Sequence, residues 1–300
     1  MLTRRMFLRA AGGALAVGAG LGAYSVIIEP GFRLKLAQWS VPHASWPSAM
    51  PPLRIAALTD IHAVEPWMPA ARIARIVEAA NGLDVDIIVL LGDYVASMPK
   101  FRTGLVPIAD WAGALGKLRA PLGVYSVLGN HDWWTDNWAV RAGLQQAGIP
   151  VLENRAVKID KGGRRFWLAG LGDQLSIHVG RGQYRGTDDL PGTLRQTMAD
   201  RDPVILLAHE PDIFVKVPDR VAVTLSGHTH GGQVRLPFIG RPMIPSAYGE
   251  RFAYGHIIEG GRNFVVSAGL GMTGLPVRFG VPPEIAIITL GAPGNIAANA

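Results

Sequence analysis

The sequence predicts an α/β fold built around a mixed β-sheet, and three observations lead to this prediction. Short apolar runs of strand length recur along residues 51–291 and end in polar residues, and amphipathic helical patterns lie between the early runs. The later runs follow one another without long helices. Parallel strands need crossover helices, whereas directly joined strands pair antiparallel, so both kinds of pairing are expected. The 49% hydrophobic content is sufficient for a large core.

Residues 1–28 resemble a twin-arginine export signal. Arg4 and Arg5 stand before the uncharged, Gly/Ala-rich stretch 10–28. Positive charge before this stretch and none within it predicts that the following domain lies outside the cytoplasm, either periplasmic or anchored to the membrane. The stretch is long enough to remain as an anchor, and its small residues also permit cleavage, so both outcomes stay open. The membrane and the twin-arginine export machinery are therefore expected partners.

Three further segments are predicted after this signal. Residues 29–50 contain prolines around a strand-like run at Phe32–Trp39 and are expected to form a tether that pairs loosely with the main domain. Residues 51–292 show no repeat and no break in composition, which predicts a single catalytic domain, and residues 293–300 are expected to form a flexible tail. The three arginines of residues 1–28 supply half of the formal charge of +6, and no other basic run occurs, so no nucleic-acid partner is expected.

Three helices are predicted in the main domain. The first, Pro69 to Ala80, has proline in its first turn, apolar residues at helical spacing and a glycine beyond its end. The second begins with Thr135 as its cap and runs to Ala147. The third is opened by Asp189 and ends near Ala199.

The chain contains no cysteine. This excludes disulfides, thiolate zinc sites and cysteine nucleophiles, so a bound metal needs nitrogen and oxygen ligands. A serine hydrolase of the nucleophile-elbow type is also disfavoured, because no Gly-x-Ser-x-Gly motif is present.

Five predicted strands end in side chains that can bind a metal. The junctions are Leu53–Thr59 before Asp60-Ile61-His62, Asp86–Leu91 before Gly92-Asp93, Gly123–Leu128 before Gly129-Asn130-His131-Asp132, Val204–Ala208 before His209, and Val221–Leu225 before Ser226-Gly227-His228-Thr229-His230. Five of the eight histidines thus directly follow strands. Loops at the carboxyl ends of strands converge on one crevice in open α/β sheets, so these groups are expected to meet there.

The two carboxylates, one carboxamide and four imidazoles in these motifs can bind two divalent ions if one carboxylate bridges them. Two ions about 3.5–4 Å apart can hold a hydroxide and two phosphoryl oxygens during displacement at phosphorus. The pattern therefore predicts phosphoester hydrolysis by attack of a metal-bound hydroxide. Nitrogen and oxygen ligands suit Mn, Fe, Zn or Co, and the sequence does not choose among them.

The order of these motifs resembles the calcineurin-like metallophosphoesterase superfamily over nearly all of residues 51–291. The resemblance implies a four-layer α/β/β/α sandwich with two mixed sheets. Four segments resemble the exported or membrane-associated bacterial branch of this superfamily. They are Leu58–His62, Leu207–Asp212, Ser226–Gln233 and the ending from Pro276–Phe279 to Pro283–Glu284.

The resemblance also implies a role for each motif residue. It assigns the first ion to Asp60, His62 and His230, the bridge to Asp93, and the second ion to Asn130, His209 and His228. His131 is expected to act on the phosphate, as general acid for the leaving oxygen or as stabiliser of the transition state. Asp132 is expected to shape its loop.

One departure from the phosphoprotein-phosphatase branch bears on the substrate. The segment Gly92–Ser97 lacks the second aspartate and the arginine that follow Gly-Asp in that branch. Their absence disfavours phosphoserine and favours a phosphodiester or a pyrophosphate. Arg278, on the late glycine-rich loop, is a candidate for the missing phosphate contact.

Five large side chains lie next to the motifs, and two interpretations of them stay open. Trp67, Met68, Trp133, Trp134 and Trp138 either line the edge of the active site, where aromatic rings stack a nucleobase or meet lipid, or pack in the core.

Three functions remain open on the sequence alone. The favoured one is an exported dinuclear phosphodiesterase whose phosphoester substrates include lipid-linked ones. The alternative is a hydrolase like UDP-2,3-diacylglucosamine pyrophosphatases of the superfamily, against which the export signal counts because that nucleotide-lipid is cytoplasmic. The third is a non-catalytic metal-binding envelope protein, disfavoured because no predicted ligand is missing and His131 is present.

Overall fold

A computed structural model describes residues 3–42, 46, 51–96, 98–101 and 103–291 of the chain. The tail predicted at 293–300 lies outside these residues. The α-helices are α1 (Arg4–Ala23), α2 (Glu29–Phe32), α3 (Ala70–Asn81), α4 (Ile108–Leu115), α5 (Asn130–Gln146) and α6 (Leu190–Arg195). A π-helical turn, Tyr24–Ile28, joins α1 to α2.

The described residues also form fifteen strands. They are β1 (Lys35–Val41), β2 (Leu53–Leu58), β3 (Val64–Glu65), β4 (Ile87–Leu90), β5 (Gly104–Leu105), β6 (Val124–Ser126), β7 (Arg155–Lys161), β8 (Arg164–Gly170), β9 (Ile177–Gly180), β10 (Gln183–Arg185), β11 (Val204–Leu207), β12 (Val221–Ser226), β13 (Gly255–Glu259), β14 (Arg262–Val266) and β15 (Glu284–Leu290).

Eleven of these strands form two sheets, and both sheets are mixed. The first has the order β1-β15-β2-β4-β6, in which only the pair β15 and β2 is antiparallel. The second has the order β13-β14-β12-β11-β8-β7 and is antiparallel at its two outer pairs. The remaining strands form two small ribbons, β3-β5 and β9-β10.

The two sheets pack face to face, and helical layers cover their outer faces. Between the sheets, Leu53 and Ile55 of β2 belong to the same buried cluster as Phe166 and Leu168 of β8. Helices α3, α4 and α5 cover the outer face of the first sheet. The outer face of the second sheet packs against α6 and a short 3-10 helix, Pro211–Lys216. The expected four-layer α/β/β/α sandwich is therefore confirmed.

The predicted helices are present, with different ends. Helix α3 matches its prediction within one residue at each end. Helix α5 begins at Asn130 rather than near Thr135, because Asp132 caps an additional first turn. The backbone then breaks at Asp136, whose side chain accepts a hydrogen bond from the Ala139 N–H and caps the remainder. The prediction of Thr135 as the cap is therefore wrong.

The third helix, α6, is shorter than predicted. Asp189 caps it as expected by accepting a hydrogen bond from the Gly192 N–H, but the helix ends at Arg195 rather than near Ala199.

The tether strand is integrated into the first sheet. It lies at Lys35–Val41, later than the predicted Phe32–Trp39, and pairs with β15 over all seven of its residues. Ala37 and Val41 are buried. The expectation of loose pairing is thus wrong, because β15 offers a full parallel edge and β1 buries apolar side chains against the domain.

Candidate metal centre

The structure brings together all eight residues predicted for the site. Each follows the carboxyl end of a strand, as the sequence predicts: Asp60 and His62 after β2, Asp93 after β4, Asn130 and His131 after β6, His209 after β11, and His228 and His230 after β12. These strands belong to both sheets, so the site lies where the two sheets meet at one edge.

Asp60, His62 and His230 form the first group of donors. The Nε2 atoms of His62 and His230 lie 3.1 Å apart, and Oδ1 of Asp60 lies 3.4 Å from Nε2 of His230. One ligand atom from each residue lies within 4.8 Å of the others, which is close enough for a shared ion.

The second group contains Asn130, His209 and His228. Nδ1 of His228 lies 2.9 Å from Oδ1 of Asn130 and 3.3 Å from Nε2 of His209. Asp93 joins His209 and His228 in a cluster within the same 4.8 Å limit.

Asp93 connects the two groups. Its Oδ2 lies 3.4 Å from Nε2 of His62 in the first group and 3.2 Å from Nε2 of His209 in the second. Its Oδ1 accepts a hydrogen bond of 2.8 Å from the His131 N–H. One carboxylate oxygen is therefore held by the backbone, and the other faces both groups.

Backbone carbonyls orient two of the imidazoles. Nδ1 of His62 donates to the Val95 carbonyl at 3.2 Å, and Nδ1 of His209 donates to the Leu91 carbonyl at 2.7 Å. Each of these bonds leaves the Nε2 lone pair directed into the centre, which is the tautomer that a metal ligand requires.

Strained backbone is concentrated at the site. Nine non-glycine residues among the described ones have positive φ, and five of them are Asp60, His62, Asp93, His228 and His230. Such conformations cost roughly 1–3 kcal/mol each and persist only where surrounding packing fixes them. The backbone conformations that direct these side chains into the site therefore lower the stability of the folded chain.

Glycines allow the loops to approach closely enough for these contacts. A Cβ on Gly227 would collide with the Thr59 hydroxyl and would lie 2.5 Å from Oδ2 of Asp60. A Cβ on Gly129 would collide with Oδ1 of Asp93. Both positions need glycine because of the lack of space, and not because of their φ angles.

Burial sets the charges of the imidazoles. It lowers the pKa of His62 to about 3 and lowers the pKa values of His228 and His230. His209 differs: burial lowers its pKa, but the adjacent Asp93 carboxylate outweighs this effect and raises the pKa well above the usual value. Three imidazoles are thus neutral near pH 7, as metal ligands must be.

The carboxylates show the complementary pattern. Burial, with the nearby Asp93 charge, raises the pKa of Asp60 to about 7. Burial also acts to raise the pKa of Asp93, but His209 and His131 outweigh it and hold that pKa well below the usual range. A proton on His209 therefore balances the Asp93 carboxylate, and a divalent cation bound by these donors would displace that proton. This donor set fits divalent metal ions.

A model of the calcineurin-like phosphoesterase family matches residues 53–232. The chain is 33% identical over 298 residues to an uncharacterized metallophosphoesterase, YkuE of Bacillus subtilis, covering 96% of this chain and 98% of that one. It is 30% identical to the phosphodiesterase YaeI of Escherichia coli, covering 97% and 100%, and 30% identical to a transmembrane protein with metallophosphoesterase domain of Danio rerio, covering 92% and 62%.

The chain belongs to the calcineurin-like phosphoesterase family. It is therefore a metal-dependent phosphoester hydrolase, and the hypothesis of a non-catalytic metal-binding protein is wrong.

His131 occupies the open side of the phosphoesterase site. It is half-buried, and its Nε2 lies 3.2 Å from the Thr273 hydroxyl. Its ring contacts those of His62 and Trp134, at centroid distances of 4.8 and 5.0 Å. His131 also lies within 4.8 Å of His62 and Asp93, measured between ligand atoms. It therefore lies next to the two groups of donors and remains partly exposed to solvent.

Asp132 shapes the loops of the phosphoesterase site, as expected. It is fully buried and accepts hydrogen bonds from the backbone N–H groups of Gly129, Asp93, Tyr94 and Val95. One side chain thereby fixes the two loops that carry Asp93 and Asn130.

The structure contradicts the expected role of Arg278 as a phosphate contact. Its side chain is fully buried and donates to the carbonyl oxygens of Ala268, Gly271 and Val281. Its Nη2 also lies 3.5 Å from Nδ1 of His230. Because these acceptors hold the guanidinium beneath the site, it organises the late loop and does not reach an open substrate position.

The large side chains next to the motifs divide between core and surface. Met68 is buried, and the indole of half-buried Trp133 donates to Glu153. Trp134 is 42% exposed, lies beside the site and stacks on Tyr184, and Trp138 is exposed as well. Of the four tryptophans considered, Trp134 is thus the one that contacts His131.

Trp67 is half-buried, and its indole donates to the Val26 carbonyl of the N-terminal helical segment.

Sequence reasoning missed two residues beside His131. Thr273 contacts the imidazole, and Gln233 holds Thr273 by accepting a hydrogen bond of 2.6 Å from its N–H. Gln233 stands three residues after His230, at the end of the segment Ser226–Gln233, so this segment could have identified it. Nothing in the local sequence pairs Thr273 with His131.

Replacing Gly227 by alanine is expected to weaken metal binding at least tenfold, because the new methyl group displaces Asp60. It should also lower the free energy of unfolding by about 1–3 kcal/mol through overpacking. Elemental analysis after dialysis against graded metal concentrations and denaturant unfolding measure the two effects.

Gly113→Ala is the matched control for this substitution. Gly113 lies in α4 with open space at its Cβ position, so its variant should bind metal like the wild type. Equal metal affinity of the Gly227→Ala variant and the control would contradict the close-packing argument.

Proposed function

We propose that this phosphoesterase is a phosphodiesterase with a dinuclear metal centre that acts outside the cytoplasm or at the membrane surface. The observation that carries the proposal is the position of Asp93, whose Oδ2 faces His62 on one side and His209 on the other. A carboxylate in this position can bridge two ions, whereas a mononuclear site has no need of a second group of donors.

Each donor has one role in the proposal. Asp60, His62 and His230 would hold the first ion, Asn130, His209 and His228 would hold the second, and Asp93 would be a ligand of both. When bound, the ions supply Lewis acidity and lower the pKa of a coordinated water, and Mn, Fe, Zn and Co all suit these ligands.

His131 donates a proton to the leaving oxygen in this mechanism. The hydrogen bond from its N–H to Asp93 fixes its backbone relative to the ligands, and Thr273 and Trp134 hold the ring at the open side. A proton donor there neutralises the alkoxide as the ester bond breaks. Asp132 fixes the position of this loop relative to the Asp93 loop, because it accepts hydrogen bonds from the backbone of both.

The burial of Arg278 favours a phosphodiester over a phosphomonoester as the substrate. A diester carries one negative charge, whereas a monoester carries nearly two at neutral pH and gains more from an additional cation. Arg278 cannot provide that cation, because carbonyl oxygens occupy its guanidinium.

An open groove of about 460 Å³ adjoins the site and suits the second ester group of such a substrate. Trp134, Leu175, His228 and Pro245 are among the residues that line it. The relative YaeI is named a phosphodiesterase, which supports the same substrate class.

Asp93→Asn is expected to reduce metal-dependent hydrolysis of a chromogenic nitrophenyl phosphodiester by more than about 100-fold, because a neutral amide bridges two cations poorly. Asp110→Asn, at an exposed position in the first turn of α4, is the matched control and should hydrolyse the diester normally. A monoester assayed in parallel tests the substrate class. Undiminished turnover by the Asp93 variant would exclude the bridging role.

His131→Gln is expected to lower kcat by about 10²–10⁴ for a diester with an alkoxide leaving group, because that group needs a proton. The loss should be much smaller with nitrophenolate, which leaves without protonation, and metal content should stay at the wild-type value. Stopped assays on both substrates and elemental analysis provide the measurements. Equal losses on both substrates, or loss of metal, would show that His131 is not the acid.

The proposed location rests on the N-terminal segment. A helical stretch from Arg4 to Phe32 is long and apolar enough to cross a membrane, a property that signal sequences share. Substituting Arg4 and Arg5 by lysine is expected to block export, because the twin-arginine machinery recognises the pair. A carboxyl-terminal reporter that is active only outside the cytoplasm should lose its signal.

The same reporter separates this proposal from the UDP-2,3-diacylglucosamine pyrophosphatase hypothesis. That activity requires a cytosolic site, so a reporter that never becomes active outside the cytoplasm in the unaltered chain would favour it.

A further inference from the structure

The last turns of the N-terminal helical segment are built into the catalytic domain. Glu29 is 1% exposed, and its carboxylate accepts hydrogen bonds from the N–H groups of Gly280 at 3.0 Å and Val281 at 2.6 Å. The Arg278 N–H donates to the Ser25 carbonyl at 2.9 Å. These contacts join the helix to the loop that lies behind the metal ligands.

Aromatic contacts extend this junction to Tyr24. The Tyr24 ring meets Phe279 edge to face at 6.3 Å, and the Trp67 indole donates to the Val26 carbonyl at 3.0 Å. Helix α1, in contrast, is almost wholly exposed. The membrane-length segment therefore leaves the domain at Tyr24, and removing the turns after Tyr24 would leave Glu29's hydrogen-bond donors unsatisfied.

Beside this exit point, the domain exposes three apolar side chains, which we call the apolar rim: Phe238, Ile239 and Leu275. Phe238 is fully exposed, Ile239 is 72% exposed and Leu275 is 57% exposed. Phe238 and Ile239 form the tip of a tight turn closed by reciprocal hydrogen bonds between Leu236 and Gly240. A turn that exposes its largest apolar side chains to water is typical of a surface that binds a partner.

Short links connect the rim to the helix exit. The Arg235 N–H donates to the Phe279 carbonyl at 2.7 Å, and Val234 forms a bridge with Phe279, whose ring contacts Tyr24. The tip residues Phe238 and Ile239 follow directly in the chain. The rim and the end of the membrane-length helix therefore occupy the same side of the domain.

Two cations at this place match the chemistry of a bilayer surface. Arg235 is exposed at the base of the rim turn, and the Arg33 guanidinium lies 3.5 Å from the Tyr24 hydroxyl. Neither arginine forms an ion pair with an acidic residue of the described part of the chain. Apolar tips, a tyrosine and unpaired arginines are the groups that favour the interface between lipid tails and phosphate headgroups.

The rim also belongs to the loops that hold His131. Gln233 donates through Nε2 to the carbonyl oxygens of Thr273 and Leu275, at 3.1 and 3.3 Å, and Thr273 contacts His131. Leu275 of the rim and Thr273 beside His131 are therefore held by the same side chain, Gln233.

We infer that the N-terminal helix is retained as an anchor and that the apolar rim rests in the headgroup region of the bilayer, so that the site receives amphiphilic phosphodiesters held in the membrane. The substrate class rests on the proposed function, whereas the membrane contact rests on the rim and the helix junction alone.

Site-specific labels can test this orientation, because the chain has no cysteine of its own. Phe238→Cys and Leu275→Cys are labelled with a polarity-sensitive fluorophore in the full-length chain, reconstituted in phosphatidylglycerol–phosphatidylethanolamine vesicles. Met198→Cys and Ile258→Cys, at positions 69% and 54% exposed, serve as controls outside the rim. Iodide quenching measures how accessible each label is to water.

The rim labels should show severalfold weaker iodide quenching than the controls in vesicles and should lose this protection when the lipid is replaced by a short-chain detergent. Quenching equal to the controls would overturn the proposal. Protection that depends on protein concentration and not on lipid would assign the rim to a second copy of the chain, which also overturns it.

Mass measurement of the mature protein from cell membranes tests the retained anchor. A chain that keeps α1 is expected, and one that begins after Tyr24 would overturn the proposal. Turnover of a soluble chromogenic diester in the same vesicles reports on the proposed function separately: protected labels without turnover defeat the hydrolase mechanism alone, and turnover with unprotected labels defeats the membrane contact alone.

Discussion

The shared carboxylate of Asp93 is the constraint on which the arrangement of the site depends. Its Oδ2 faces imidazoles from both groups of donors, and its Oδ1 is held by the His131 N–H. In the proposed mechanism this position couples metal binding to the placement of the proton donor, because Asp93 contacts the proposed ligands and His131 alike. The surrounding loops serve this contact: Asp132 ties their backbones together, and Gly129 leaves the space that Asp93 fills.

The sandwich supplies the rigidity that such a contact requires. Left-handed backbone at Asp60, His62, Asp93, His228 and His230 is unfavourable in isolation, and it persists because each loop begins at a buried strand end. Packing between the sheets fixes those ends relative to each other. Cations bound by the converging donors would offset the strain and the burial of charge, so that metal binding and folding would stabilise each other.

The sequence was informative where function is encoded in short motifs. The eight predicted site residues lie together in the structure, because the motifs that contain them follow apolar runs that form buried strands. Contacts between distant segments were not predictable. The pairing of β1 with β15, the approach of Thr273 to His131 and the burial of Arg278 depend on tertiary packing that leaves no periodic signal in the chain.

Crystallographic anomalous scattering from the manganese-loaded protein would show how many ions the site holds and which residues bind them. We expect two ions about 3.5–4 Å apart, with the Asp93 carboxylate bound to both. A single ion, or two ions of which Asp93 contacts only one, would contradict it.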